Sequence, residues 1–136
     1  MTYKFMLPGN PIPAKRPRVT KTHTYSPHKE DMIRASFELQ EQIRKHAYPD
    51  MPLKGPVSLE VTFFMQMPKS LSKRKKALLY GEPCSSKKAG DLDNLIKKLF
   101  DSGNGILYED DSQIVELHAK KLYDYIPRTE FCIKTL

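Results

Sequence analysis

Residues 57–67 read VSLEVTFFMQM. Val57, Leu59, Val61, Phe63, Met65 and Met67 fall on one side of an extended chain, while Ser58, Glu60, Thr62 and Gln66 fall on the other. Side chains of a strand alternate between faces with a period of two, so this stretch is a strand with one face towards a core. The other elements follow outward from it. Upstream, residues 2–7 (TYKFML) alternate with Tyr3, Phe5 and Leu7 on one side, a short first strand. Residues 8–27 hold Pro8, Gly9, Pro11, Pro13, Pro17 and Pro27, a density that reads as a loop without regular structure. Ser26-Pro27 then reads as an N-cap followed by Pro at the first helical position, with Glu30 and Asp31 in the first turn. Met32, Ala35, Leu39 and Ile43 recur at helical spacing, and the helix is expected to end near Ala47, before Pro49 and Pro52.

Downstream, residues 68–90 are polar and basic, with a helical turn expected around Ser72–Tyr80. Residues 92–102 form a helix with Leu92, Leu95, Ile96, Leu99 and Phe100 as its apolar stripe, and Gly103 and Gly105 suit its C-terminal cap. Residues 113–123, with Val115, Leu117 and Ala119 alternating, and residues 129–135, with Phe131 and Ile133, read as two further strands. The order β-α-β-(basic loop)-α-β-β predicts an α/β fold over residues 1–136. It is a single domain with a mixed sheet of about four strands and two main helices.

The chain has 136 residues, enough for a modest core without disulfide or metal staples. Cys84 and Cys132 sit in neither a C-x-x-C nor a Cys/His zinc spacing and read as free thiols in a reducing compartment. Met1 to Pro8 lacks the layout of a signal peptide, and no apolar run approaches the length of a membrane span, so a cytoplasmic protein is expected.

The formal net charge is +7, which favours a polyanionic partner. The charge is concentrated. Residues 14–29 carry Lys15, Arg16, Arg18, Lys21 and Lys29, and residues 69–88 carry Lys69, Lys73, Arg74, Lys75, Lys76, Lys87 and Lys88 against Glu82 alone. These segments net +11, so the rest of the chain holds −4 of the total +7. Charge runs are commonly solvated loops and nothing more. Two such loops on one small domain instead suggest binding to a phosphate backbone, with Lys15, Arg16, Arg18, Lys73, Arg74, Lys75 and Lys76 as its groups. Pro17 stiffens the first loop between Arg16 and Arg18, and Tyr25 and Tyr80 are candidates for stacking on exposed bases.

Carboxylates cluster elsewhere, in GDLDNLIK (90–97) and YEDDSQ (108–113). Asp91 and Asp93 sit where the second helix begins, and Asp110 and Asp111 just before the next strand, so the two pairs are expected to meet at one end of the sheet. Singly, each has an ordinary explanation: a helix cap, a turn, or, for Lys97, an ion pair with Asp93 or Asp101. As a set they match what a hard cation takes, oxygen ligands from carboxylates together with substrate phosphate. Nucleases use such ions to activate water and neutralise the attacked phosphate. Lys97, one turn from Asp93 on the same face, could stabilise charge on that phosphate or orient the water.

At these residues the chain resembles the RusA family of Holliday junction resolvases. The resemblance rests on D-L-D-N-L-x-K, a following D-x-G-x-G region, and Y-x-D-D-S-Q-I. The early segment PIPAKRPRVT and the basic loop before the acids are similar to phage and prophage members, and the likeness covers nearly the whole chain. It implies three metal-binding aspartates, matching Asp91, Asp93 and Asp111, and a catalytic lysine matching Lys97; Asp110 matches an acid beside the third ligand, with its role open. It further implies Mg2+, or Mn2+ in its place, a homodimer, and branched DNA as substrate in recombination and repair, in a bacterium or encoded by a phage. One departure is Ala89-Gly90 where many members carry Lys-Pro, which loosens the entry to the acids without removing a ligand. Against this reading stand a non-catalytic nucleic-acid-binding module, whose acids cap helices and turns, and a nuclease acting on flaps or single strands.

Overall fold

In the computed structural model, which describes residues 1–14, 18–19, 24–25 and 29–136, the alternation in 57–66 is a strand at the centre of a sheet. Of residues 18, 19, 24, 25 and 29 the backbone alone is described. This strand is β4 (Val57–Gln66), after β1 (Thr2–Pro8), β2 (Arg18–Val19), β3 (Thr24–Tyr25) and the helix α1 (Lys29–His46). The helices α2 (Lys73–Leu79) and α3 (Leu92–Gly103) come next, then β5 (Ile114–Asp124) and β6 (Arg128–Thr135). The main sheet runs β1-β6-β4-β5. Pairing is antiparallel for β1 with β6 and for β6 with β4, and parallel for β4 with β5. The sheet is mixed and four-stranded, as the element order implies.

Val57, Leu59, Val61, Phe63 and Met65 are all buried, together with Tyr3 and Phe5 of β1 and Phe131 and Ile133 of β6. Leu39 of α1 and Leu95 and Leu99 of α3 belong to the same core, so both helices cover this face. Lys4, Glu60, Glu130 and Lys134 are exposed on the opposite face. No helix among the described residues is long and apolar enough to cross a membrane.

Some expectations are corrected. The proline-rich segment 8–27 is not without regular structure, because β2 and β3 pair antiparallel within it. The prolines stand at 8, 11, 13, 17 and 27, and the stretch 18–25 between them contains none, so its backbone N–H groups are free to pair. The proposed cap Ser26-Pro27 lies outside the described residues. The end of α1 is where it was expected: the helix stops at His46, and Ala47 turns the chain with φ 52°. The turn expected at 72–80 is a third helix, α2, whose N-cap Ser72 accepts a hydrogen bond from the Lys75 N–H at 3.3 Å. In β5 the alternation of Val115 and Leu117 does not lead into the core: they are 60% and 44% exposed. β5 lies at the sheet's edge; Ile114, Ala119 and Tyr123 still pack partly against the core, but Val115 and Leu117 do not.

Gly103 is the last residue of α3 and not its cap, which is Asn104. Its need for glycine is steric. A Cβ there would lie 2.8 Å from Tyr108 Oη and 3.0 Å from Leu107 Cδ1, and both residues are fully buried. Tyr108 in turn donates its hydroxyl to the Phe100 carbonyl at 2.8 Å, tying the segment before β5 to α3. Gly103→Ala gains up to about 1 kcal/mol of helix propensity. Displacing packed neighbours costs about 1–3 kcal/mol, so the net effect expected in a denaturant titration is destabilisation.

Candidate active site

α3 presents one face to the core and the other to solvent. Its N-terminus is fixed from three sides. The Ala14 N–H donates to the Asn94 carbonyl at 3.1 Å, docking the proline-rich segment on the first turn. Lys121 Nζ donates to the Gly90 carbonyl at 2.7 Å, anchoring the entry to β5. Gly90 itself has φ 95°, and a Cβ on it would lie 2.8 Å from Pro13 Cγ. Proline is locked near φ −65°, so it cannot occupy position 90 in this conformation. The Ala89-Gly90 departure thus has a structural counterpart: glycine lets the chain turn into α3 while Pro13 packs against it.

Asp91 occupies the N-cap position of α3, but its side chain makes no capping hydrogen bond. Asp93 and Lys97 are exposed along the solvent face, and Asp101 follows at the same helical spacing, half-buried. Asp110 has a local use. It caps the 3-10 turn Asp111–Gln113, accepting from the Ser112 N–H at 2.9 Å, and hydrogen bonding from Ser112, first from its side chain and then from this N–H, holds its carboxyl below the usual range. Gln113 completes the turn by accepting from the N–H groups of Glu109 and Asp110 and donating to the carbonyls of Leu53 and Gly55. Asp111 stands free of that network and half-buried.

The two acidic pairs do not meet at one end of the sheet within a single chain. Asp111 lies near the far end of α3: with burial as the larger cause, it raises the pKa of Asp101, which Lys97 lowers. Burial, then Asp111, Asp101 and Asp110, likewise push the Tyr108 hydroxyl upward. Asp91 is ten positions from Asp101 along the helix, about 15 Å at the standard rise. Among the described residues no three acids, histidines or cysteines surround a point that could hold a metal ion. The described residues of one chain therefore offer hard oxygen donors singly or in pairs, not a closed three-aspartate cage. Among those residues no hydrogen bond or ion pair engages the carboxylates of Asp91, Asp93 or Asp111, so they remain available to a cation shared with substrate phosphate. Asp101, visible in the sequence as an ion-pair partner of Lys97, is the acid whose neighbourhood with Asp111 the sequence did not disclose.

The basic groups flank this region. α2 buries none of its residues and exposes Lys73, Arg74 and Lys75, with Lys76 half-buried. Lys87 and Lys88 are exposed in a 3-10 turn that leads directly to Gly90. Lys15 and Arg16 lie outside the described residues, as do the side chains of Arg18 and Tyr25. Tyr80 is not a lone platform: it stacks on Tyr125 with ring centroids 5.3 Å apart, and both remain exposed. Cys84 and Cys132 are free thiols.

Because burial and Asp111 raise the pKa of Asp101 in the folded chain above its unfolded value, the ionised side chain lowers stability at neutral pH. That penalty fades as pH falls through the folded value and is gone well below the unfolded one. In metal-free buffer with EDTA, Asp101→Asn is expected to raise the thermal midpoint at pH 7. The gain should vanish below about pH 3.5, where both states are protonated.

Residues 8–134 match the family model described as "Endodeoxyribonuclease RusA". The chain is also 33% identical over 137 residues to the "Uncharacterized protein YqaN" of Bacillus subtilis (strain 168), covering 96% of this chain and 94% of that protein. A model matching nearly the full length, over a fold that places the Asp91–Lys97 motif on an exposed helix face, establishes that the chain belongs to the RusA family of endodeoxyribonucleases.

Proposed function

We propose that this protein is a crossover junction endodeoxyribonuclease. In this reading it resolves Holliday junctions by paired, symmetric phosphodiester hydrolysis, in recombination and repair, in the cytoplasm of a bacterium or a phage-infected cell. The observation that carries the reading is the solvent face of α3 with the segment before it: Asp91 sits at a cap position without capping, and Asp93 and Lys97 are exposed beside it. Both acids suit the positive end of the helix dipole, but the Asp91 side chain makes no capping hydrogen bond, and Lys97 lies beyond that end. Recognition of a phosphate through a cation explains them well, and it accords with the endodeoxyribonuclease family.

Mg2+, or Mn2+ in its place, is the proposed cofactor, with Asp91, Asp93 and Asp111 as the proposed donors; since one chain holds Asp111 at the other end of α3 from Asp91, the three would close on one ion only where two chains meet. When bound, such an ion supplies an activated water and neutralises charge on the phosphate. The chain's own groups have separate tasks. Lys97 holds or polarises the phosphate beside the acids, and the lysines and arginines of the flanking loops bind the backbone of the arms. Asp110 shapes the turn that positions Asp111. A four-way junction has approximate two-fold symmetry, and two matched cuts call for two active sites related by a two-fold axis, so the working unit is a homodimer.

The decisive experiment is incubation with a labelled synthetic four-way junction, a flap, a single strand and a matched duplex, with magnesium or with EDTA. Symmetric nicks in the junction alone, absent in EDTA, are the expected result. Binding without cleavage would favour a non-catalytic module, and cleavage of flaps or single strands would redefine the substrate. Asp93→Asn is expected to fold normally, because the side chain is exposed in the first turn and makes no hydrogen bond, and to bind junctions as well as or better than the parent protein in metal-free buffer, because one negative charge facing phosphate is gone. Cleavage should fall by several orders of magnitude, and Lys97→Ala should lose cleavage while keeping metal binding. Near-normal cutting by Asp93→Asn would refute the site.

Replacing Lys73, Arg74, Lys75 and Lys76 together with Ala is expected to weaken junction binding. It should also flatten the salt slope by roughly 0.9 for each phosphate that the variant no longer neutralises. A slope equal to that of the parent protein would remove α2 from the interface.

A further inference from the structure

β4 and β5 end side by side, with Gln66 opposite Asp124. The chain leaves β4 there, forms α2, and returns along β5. The Gly81 N–H donates to the Tyr123 carbonyl and the Tyr123 N–H to the Glu82 carbonyl, both at 2.9 Å, and the Cys84 N–H donates to the Lys121 carbonyl at 3.0 Å. Lys121 also holds Gly90, so α3 opens with Asp91 and Asp93 at this same end of the sheet.

Two tyrosines stand at that end. Tyr80 closes α2, its N–H bonded to the Lys76 carbonyl at 3.0 Å, and Tyr125 begins the turn from β5 to β6. Their rings stack with planes 29° apart. The turn is held firmly: Asp124 accepts from the Ile126 N–H at 2.9 Å and pairs with Arg128 at 3.2 Å, and Arg128 donates to the Ile126 carbonyl at 2.8 Å. Rings that served only to join α2 to this turn would be covered by the elements they join. Instead Tyr80 and Tyr125 are 56% and 54% exposed, and α2 buries no residue to cover them. Aromatic rings fixed in place before binding lose little further freedom when a ligand covers them.

We infer that the Tyr80–Tyr125 pair is a stacking platform for an unpaired DNA base. The inference rests on the nuclease reading above and names the part of the substrate that this end of the molecule takes. Charge selects the partner. Lys73, Arg74 and Lys75 are exposed on the same short helix that ends in Tyr80, so phosphate contacts and an aromatic surface are mounted together. That combination grips a single strand, because every base offers a flat π-face whatever its identity. Distance selects the place along the strand. Tyr125 follows Lys121 by four residues, about 13 Å of extended chain. The platform therefore stands about four steps of stacked DNA, at roughly 3.4 Å each, from the position that holds the entry to the acids. A base within a duplex hides both faces in the stack. One freed from it, as at a branch point, can lie on the tyrosines.

Fluorescence titration in EDTA tests this, with a single strand carrying a fluorescent adenine analogue and with the same strand paired in a duplex. The wild-type protein is expected to quench the unpaired analogue by stacking and to leave the paired one unchanged. Tyr80→Leu and Tyr125→Leu, made separately, should each abolish the quenching and raise the single-strand dissociation constant by about tenfold. Both should leave duplex affinity and the salt slope as they are, because no phosphate contact is lost. Tyr80→Phe keeps the ring and should behave as the wild type. Weaker duplex binding with a flatter salt slope in the Leu variants would show that the pair only braces α2, and would overturn the platform. Absence of quenching by the bound wild type would overturn it without recourse to any variant. Symmetric junction cleavage by that same protein would leave the nuclease reading standing, whereas a wild type that binds neither strand nor duplex would remove both.

Discussion

Parallel pairing of β4 with β5 is the constraint on which the site depends. Parallel strands cannot be joined by a tight turn, because the chain must leave the end of one strand and return to the start of the next. Here the return path holds α2 and α3, and α3 lies on the sheet face that β4 makes apolar. A helix in such a crossover runs back against the strands. The contacts show this directly: Gly90, before α3, touches Lys121 late in β5, while Asp101, near the end of α3, senses Asp111 just before β5 begins. Acids before the helix and acids before the strand are therefore carried to opposite ends of α3. The same connection that makes the motif compact in sequence keeps it open in one chain.

The elements themselves were legible because their periods are clean. β4 alternates with a period of two, and the alternation survives as burial at every second position. The apolar stripe of α3 includes the buried Leu95 and Leu99. Misreadings arose where local pattern and global position part. Val115 and Leu117 alternate like core residues, yet strand order puts them at an edge, and strand order depends on pairings between residues far apart in the chain. Proline density hid β2 and β3 because it was averaged over a segment whose middle contains no proline. Gly103 looked like a cap by its place after the apolar stripe, but its reason is contact with Tyr108, which no local rule contains.

The site was legible as a set of residues and less so as a geometry. Spacing alone put Asp93, Lys97 and Asp101 on one helix face, and the structure agrees. Spacing could not tell that Gly90 needs a positive φ because Pro13 packs against it, since residues 13 and 90 are brought together only by folding. Nor could it separate Asp110 from Asp111. Neighbours in sequence, they differ because one carboxylate closes a capping box with Gln113 and the other does not.

That difference extends to the other aspartates. The fold gives several of them work: Asp124 accepts from the Ile126 N–H and pairs with Arg128, Asp31 pairs with Lys98, Asp50 accepts from the Tyr3 hydroxyl, and Asp110 caps its turn. Each of these gains a hydrogen bond or an ion pair in the folded chain. Asp91, Asp93 and Asp111 gain neither among the described residues, and Asp101 is destabilising as an anion. In a chain of net charge +7 they also oppose the attraction of the basic loops for a polyanion. In the proposed function, carboxylates that no hydrogen bond or ion pair engages and that oppose a polyanion would become favourable once a cation bridged them to phosphate. That inversion is the physical reason for reading them as the reactive centre and not as caps.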